Sequence, residues 1–259
     1  MHLALLQYGL GLLSGALVGF SLGLVGGGGS ILAVPLMAYV VGVPDPHVAI
    51  GTSAFAVAAN AAGNLIDHAR RGAVRWRCAL VFAASGVVGA FAGSSLGKAF
   101  GGKHLLSLFA ILMTAVGVLM LRPRKDDGDH EVRLSRSNAP KLAVAGVLTG
   151  GLAGFFGIGG GFLIVPALIA ATRMPILYAV GSSLVAVAAF SLTTAVNYAF
   201  AGWVNWPLAA VLLAGGVGGG LLGARSASGL STRRGMLNRV FAILIFVVAA
   251  YMFWRNTAQ

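Results

Sequence analysis

Two glycine-rich runs hold the residues whose type and spacing best fit the binding of a small anion. They read GLVGGGGSILAVP over residues 23–35 and GFFGIGGGFLIVP over residues 154–166. Each run is predicted to open a helix, where the first N–H groups lack intrahelical acceptors and the helix dipole is positive. Glycine lets the backbone approach an oxyanion closely, and neither run contains a charged side chain. Amides and hydroxyls alone would bind an anion without preventing its release.

We define the first elbow as residues 26–30 and the second elbow as residues 157–161. The alternative interpretation is that their glycines only allow helices to pack closely. Glycines spaced by four elsewhere, at 89, 93 and 97 and at 215, 219 and 223, are typical of such packing. The predicted substrate-binding residues of the elbows are Gly26, Gly27, Gly28, Gly29, Ser30, Gly157, Gly159, Gly160 and Gly161.

Further polar residues occur in the apolar segment that follows each elbow. Asn60, Asn64 and Asp67 recur at helical spacing and form one polar stripe, whose counterpart in the second half carries Thr193, Thr194 and Asn197. Such a stripe is costly against lipid, so it should face the protein interior or a water path. Hydrogen bonding between helices, with no role in transport, is the alternative for each residue. The predicted substrate contacts are Thr52, Ser53, Asn60, Asn64, Ser182, Ser183 and Asn197.

Four residues at the end of the first stripe, Asp67, His68, Arg70 and Arg71, are candidates for ion coupling or for the substrate entrance. An acid inside a membrane span can carry a coupling proton. Asp67 lies within four residues of both arginines, however, so we favour a structural ion pair. The arginines would draw an anion toward the entrance. At the other end of this segment, Asp45 is predicted to cap the helix.

Composition excludes most other classes of protein. Of 259 residues 58% are hydrophobic and 9% are charged, whereas a soluble domain carries about 25% charged residues. Cys78 is the only cysteine, which excludes an intrachain disulfide scaffold. Four of the six acids fall within residues 122–141, leaving few for metal binding or acid–base catalysis. We expect no enzyme activity, cofactor or metal, and we interpret the net charge of +12 as an orientation signal rather than nucleic-acid binding.

The chain is an internal duplication. AIGTS at residues 49–53 matches AVGSS at 179–183, and the other paired motifs follow in the same order at an offset of 130 to 132 residues. We predict a first repeat at 1–121, a cytoplasmic linker at 122–141 and a second repeat at 142–259. Each repeat contains five apolar segments: A (9–25 and 142–156), B (30–41 and 161–171), C (48–66 and 178–200), D (78–96 and 208–223) and E (105–121 and 237–253). Segment B is too short to cross a bilayer. Segment A of the first repeat lacks a basic n-region, so we expect it to be retained.

Basic residues predict how the repeats are oriented. The first C–D loop carries four arginines and its counterpart none, whereas the second D–E region carries four arginines and the first only two lysines. The positive-inside rule then inverts the repeats relative to each other, with both termini outside. Segments A and B form a hairpin whose elbow lies deep in the membrane. Paired broken helices in inverted repeats are typical of a transporter site near the bilayer midplane. The predicted fold is therefore an all-α polytopic membrane protein.

The elbows, the AIGTS and AVGSS motifs and the turns RRGAVRW and AGWVNW together resemble the sulfite exporter TauE/SafE family of membrane permeases. The resemblance covers nearly the whole chain and implies export of a small sulfur-containing anion, such as sulfite or sulfoacetate, across the bacterial inner membrane. We therefore expect a secondary transporter that works by alternating access. A passive anion channel and a membrane scaffold are the alternatives. The expected partners are the anion and the bilayer, without nucleic acid. The sequence is also compatible with a homodimer.

Overall fold

A computed structural model of the chain describes residues 5–121, 134–229 and 245–254. Within these ranges every regular element is helical, and the elements follow the predicted order of segments A to E in each repeat. In the first repeat they are α1 Leu5–Val25, a 3₁₀ helix Gly26–Leu32, α2 Ala33–Pro35, a π-helix Leu36–Val40, α3 Pro46–Arg70, α4 Trp76–Ala99 and α5 Gly102–Leu121. In the second they are α6 Ala139–Phe156, α7 Gly161–Thr172, α8 Ile176–Phe200, α9 Trp206–Gly229 and α10 Ile245–Trp254.

Helix length and composition confirm a polytopic all-α membrane protein. In the described residues six helices are long and apolar enough to cross a membrane, namely α1, α3, α4, α6, α8 and α9. The 12-residue α7 is one of the shorter apolar helices, as predicted for segment B, and it reaches only about 18 Å. The predicted start of the last segment E, at residue 237, lies outside the described residues.

Seven helices, α1, α3, α4, α5, α6, α8 and α9, begin two to four residues earlier than the apolar pattern predicts, and the first turns of α3 and α6 show why. Helix α3 starts at Pro46 rather than at residue 48, because the Asp45 carboxylate accepts a hydrogen bond from the N–H of His47 at 2.8 Å. The predicted capping role of Asp45 is confirmed. Helix α6 starts at Ala139, inside the predicted linker, because a proline such as Pro140 is tolerated in a first turn that needs no N–H donor. The linker residues 122–133 lie outside the described residues.

The regularly spaced glycines pack helices of one repeat against helices of the other, in parallel pairs. On α4, an added methyl group at positions 89, 93 or 97 would overlap carbonyl groups of residues 147, 151 and 155 on α6. On α9, positions 215, 219 and 223 meet carbonyl groups of residues 12, 16 and 20 on α1 in the same way. The packing role expected for these glycines is confirmed. Each segment A is therefore held by segment D of the other repeat.

Helices α3 and α8, the two copies of segment C, pack against each other in the centre and run antiparallel. The start of α3 lies beside the loop that follows α8, where the Asn205 N–H donates to Thr52 Oγ1 at 3.0 Å. The start of α8 lies beside the loop that follows α3, where the Arg75 N–H donates to Ser182 Oγ at 2.9 Å. Antiparallel packing of equivalent helices is the geometry that inverted repeats require. The orientation of the repeats in the membrane stays a prediction.

Candidate functional site

The second elbow is a sharp turn between α6 and α7. Gly157, Gly159 and Gly160 have φ angles of 68°, 67° and 63°, a left-handed conformation that favours glycine. The Ile158 N–H donates to the Ala153 carbonyl at 3.2 Å, which closes the end of α6. The chain then folds back, so that a methyl group added to Gly160 would lie 2.6 Å from Ala153 Cβ. The hairpin predicted for this segment is present.

The turn leaves backbone donors free at the start of α7. The N–H groups of Leu163 and Ile164 both converge on the Gly160 carbonyl, at 2.8 and 3.0 Å. The N–H groups of Gly159, Gly160 and Gly161, in contrast, donate to no residue that the structure describes. These donors lie at the positive end of the α7 dipole. They form the kind of backbone cradle that binds oxyanions.

The first elbow is built differently, although a short apolar helix, Gly29–Val40, begins at it as predicted for segment B. Its glycines form a 3₁₀ helix that continues directly from α1. Four consecutive glycines wind tightly without side chains in the way, whereas the fully buried Ile158 interrupts the second run and anchors its turn in the core. The chain still folds back, since the Ser21 hydroxyl bridges the carbonyls of Val18 and Gly29 at 2.8 and 3.2 Å. Ser30 is buried, and the 3₁₀ helix packs on α7 and α8, so the elbows are neighbours.

A stripe of hydroxyls on α8, which we call the α8 stripe, leads away from the second elbow. Ser191, Thr194 and Tyr198 are spaced by three and four residues and are 0%, 1% and 0% exposed. None of their side-chain oxygens has a hydrogen-bond partner among the described residues. A methyl group at Gly159 would overlap Ser191 Oγ, so the stripe begins at the elbow. Each unpaired buried hydroxyl costs about 1–3 kcal/mol, which water or a bound ligand would offset.

The far end of the α8 stripe lies among aromatic rings. Tyr198 lies 5.9 Å from Trp203 and 6.1 Å from His47, measured between ring centroids, and His47 stacks on Trp203 at 4.7 Å. The Nδ1 atom of His47 is buried and also lacks a partner among the described residues. Unpaired polar groups therefore extend from the second elbow to the end of α8.

Four predicted substrate contacts are hydroxyls that already have hydrogen-bond partners within the protein. Thr52 and Ser182 accept the hydrogen bonds from the loops after α8 and α3 that join the two central helices. Ser53 and Ser183 donate to carbonyls three residues earlier, Ile50 at 3.1 Å and Val180 at 2.7 Å. All four hydroxyls are fully buried. Thr52 and Ser182 therefore match the alternative considered from the sequence, a structural hydrogen bond between the repeats, whereas Ser53 and Ser183 bond within their own helices.

The predicted asparagines occupy two other places. Asn60, 4% exposed, packs its amide against Gly216 of α9, and Asn64 Nδ2 donates to the Asn60 carbonyl at 3.0 Å. Asn197 Nδ2 donates to Ser94 Oγ at 2.7 Å, and its Oδ1 accepts from Lys98 at the same distance. The structure thus brings neither group to the second elbow.

The predicted ion pair of Asp67 is confirmed. Its carboxylate lies 2.8 Å from the Arg71 guanidinium, and both side chains are about half exposed. Arg70 is the exposed last residue of α3. His68 Nδ1 is buried without a partner among the described residues. These four residues lie at the end of α3, remote from the aromatic end of the α8 stripe.

Sequence reasoning missed Ser191 and Tyr198, and it included Thr194 only as a counterpart of the first stripe. Helical spacing on α8 alone would have found all three hydroxyls. The repeat comparison hides them, because Ser191 corresponds to Ala61 and Tyr198 to His68.

The chain matches membrane proteins over nearly its whole length. A sequence profile of the family described as "Sulfite exporter TauE/SafE" matches residues 11–252. A "Probable membrane transporter protein" of Xylella fastidiosa (strain Temecula1) is 55% identical over 248 residues, which cover 95% of each chain. The "Probable membrane transporter protein YunE" of Bacillus subtilis is 30% identical over 259 residues, covering 91% of this chain and 93% of the relative. No solved structure matches the chain.

Proposed function

Because the chain belongs to the sulfite exporter TauE/SafE family, we propose that this membrane transporter exports a small sulfur-containing anion, sulfite or an organosulfonate such as sulfoacetate. One observation carries the proposal. Backbone donors of the second elbow, without acceptors among the described residues, adjoin the buried and equally unpaired Ser191 hydroxyl. An oxyanion with three or more oxygens would accept hydrogen bonds from both.

The charge distribution supports an anion as substrate. In the described residues the only acids are Asp45 and Asp67, and each is engaged at an end of α3. No described cation contacts the second elbow either, so binding there would use dipoles alone. A buried full charge would hold an oxyanion tightly, whereas amides and hydroxyls permit release. Binding by amides and hydroxyls alone, in a region with few acids, therefore favours a protein that releases the anion after binding it.

The position of the site supports alternating access. A methyl group at Gly159 would lie 3.3 Å from Cγ1 of Val57 and of Val187, which fall near the middle of α3 and α8. A site halfway along two antiparallel central helices can open toward either end when the repeats rock. We propose that the repeats are inverted in the inner membrane, that both termini face outward and that Arg70 and Arg71 attract the anion at the cytoplasmic end.

Two adjacent threonines on α8 provide a matched test of the site. Thr194→Val removes an unpaired hydroxyl of the α8 stripe, whereas Thr193→Val removes one that donates to the Ala189 carbonyl at 2.8 Å. Sulfite and sulfoacetate should stabilise purified wild-type protein and Thr193→Val against thermal unfolding, with sulfate and acetate as comparison anions. Thr194→Val should bind about tenfold more weakly, the loss of about one hydrogen bond. Without ligand it should melt at a higher temperature than wild type.

Two results would count against the proposal. If no sulfur-containing anion raises the unfolding temperature of the wild type, the substrate class is wrong. If the two valine variants bind sulfite equally well, the α8 stripe is not part of the site.

The continuity of the α8 stripe favours a second candidate, a passive anion channel. A line of unpaired polar groups from the elbow to the end of α8 could hold water in a standing pathway. Flux through reconstituted protein would then be insensitive to imposed proton and sodium gradients and would not saturate at modest sulfite concentrations. A transporter would saturate.

A further inference from the structure

Lys98 is a half-buried cation without an anionic partner. It occupies the last turn of α4, where its Nζ donates to Oδ1 of Asn197 at 2.7 Å and to the Asn197 backbone carbonyl at 3.2 Å. Both acceptors are neutral. No carboxylate of a described residue lies within ion-pair distance of this ammonium group. The charge of Lys98 is therefore stabilised but not cancelled.

The neighbouring side chains fix this arrangement. Asn197 Nδ2 donates to Oγ of Ser94 at 2.7 Å and to Oγ of Ser95 at 3.0 Å, which turns its Oδ1 toward the lysine. The Ser94 hydroxyl donates onward to the Phe91 carbonyl at 3.1 Å. The exposed Ser95 hydroxyl donates to no described residue. The third Nζ proton of Lys98 and the Ser95 proton thus remain for an incoming acceptor.

Lys98, Ser95 and Asn197 lie where the α8 stripe ends. Asn197 directly precedes Tyr198, the last residue of that stripe, while Asn197 faces α4 and Tyr198 faces the start of α3. Asp45 lies at the same end of the bundle, but its carboxylate caps the His47 N–H. A partly desolvated cation acts over a longer distance than a fully solvated one. An anion leaving or entering the stripe therefore meets uncompensated positive charge.

We propose that Lys98 and Ser95 form a second subsite for the transported oxyanion, at the end of α8 that holds Tyr198. This inference rests on the proposed function and adds an intermediate binding site between the second elbow and the solution. The neutrality of Asn197 keeps the subsite available. A carboxylate at position 197 would hold Lys98 as an internal ion pair and close the subsite to anions.

Three substitutions test the subsite. Asn197→Asp neutralises Lys98 while keeping an acceptor for it, Lys98→Gln removes the charge, and Lys98→Arg retains it. The readout is exchange of radiolabelled sulfite across proteoliposomes with equal sulfite on both sides. Exchange uses both ends of the protein in every cycle, so the orientation of the inserted protein does not matter. Ionic strengths of about 0.01 M and about 0.5 M separate charge attraction from direct contact.

We expect about a tenfold rise in the half-saturating sulfite concentration at low salt for Asn197→Asp and Lys98→Gln, shrinking to less than about twofold at high salt. Lys98→Arg should resemble wild type. If Lys98 only caps the end of α8, Asn197→Asp will exchange sulfite like wild type at both salt concentrations, and the subsite is refuted. Should Lys98→Gln fail to fold, Asn197→Asp still decides. A wild-type protein that neither binds nor exchanges sulfite overturns the proposed function and the subsite with it.

Discussion

Equivalent positions at the two ends of the central α3–α8 pair each contact a cation, but only one of the two contacts is an ion pair. Position 67 near the end of α3 and position 197 near the end of α8 are repeat equivalents, 130 residues apart. At the first end Asp67 neutralises Arg71. At the second end Asn197 binds Lys98 without neutralising it. The cations themselves are not repeat equivalents, since Arg71 directly follows α3 whereas Lys98 lies on α4.

The elbows differ between the repeats in a parallel way. The first is a continuous 3₁₀ helix, whereas the second is a left-handed turn next to Ser191 whose N–H groups have no acceptor in the described part of the chain. The unpaired donors of the elbow lie in the second repeat, whereas the uncancelled cation, Lys98, lies in the first repeat and is bound by Asn197 of the second. The scaffold is shared symmetrically, and the polar functions are not.

The largest expected effect tests the symmetric part of this comparison. Gly89→Val on α4 and Gly219→Val on α9 are repeat equivalents, and each places a side chain against backbone carbonyls of the other repeat. Each should destabilise the protein by about 3 kcal/mol or more through overpacking, measured by unfolding in detergent. Gly218→Val, where an added methyl group meets nothing within 4 Å, is the control. If Gly89→Val and Gly219→Val lower the free energy of unfolding by very different amounts, the two glycine interfaces are not equivalent.

The next effect concerns the second elbow. Gly159→Ala combines a left-handed φ of 67° with overlap of Ser191, so we expect a loss of about 2–4 kcal/mol and no measurable sulfite binding. Gly202→Ala isolates the backbone term, because φ is 73° there and an added methyl group meets open space. It should cost about 1 kcal/mol and leave binding intact. Equal binding by both variants would remove the second elbow from the site.

The smallest effect concerns the neutralised end. Asp67→Asn breaks a half-exposed pair four residues apart on a helix, so stability should fall by about 0.5 kcal/mol or less. It also leaves the Arg71 charge uncancelled, as Asn197 leaves that of Lys98. Half-saturation for sulfite exchange at low salt should therefore decrease modestly. An increase would indicate that Asp67 itself takes part in transport, as a coupling group would.

Sequence patterns predicted the helices, the close packing at the regularly spaced glycines and the second hairpin, because these depend on local composition and spacing. They did not predict what the hydroxyls of the two central helices do. Thr52 and Ser182 find their donors 153 and 107 residues away, in loops that only the fold brings near. Ser191 escaped notice for a related reason. Comparing the repeats emphasises positions that match, whereas this hydroxyl is opposite Ala61.

The packing of segment A of each repeat on segment D of the other repeat has a consequence for biogenesis. Among the described residues, glycines 11, 15 and 19 of α1 pack against α9, with Gly19 against Gly216. A ribosome adding about 5–20 residues per second needs roughly 10–40 s to make the intervening chain. During that interval α1 waits in the bilayer with its closest packing surface facing lipid or the insertion machinery. Assembly of the bundle is therefore timed by the arrival of the second repeat, and a chain halted before α9 leaves the first helix without its partner.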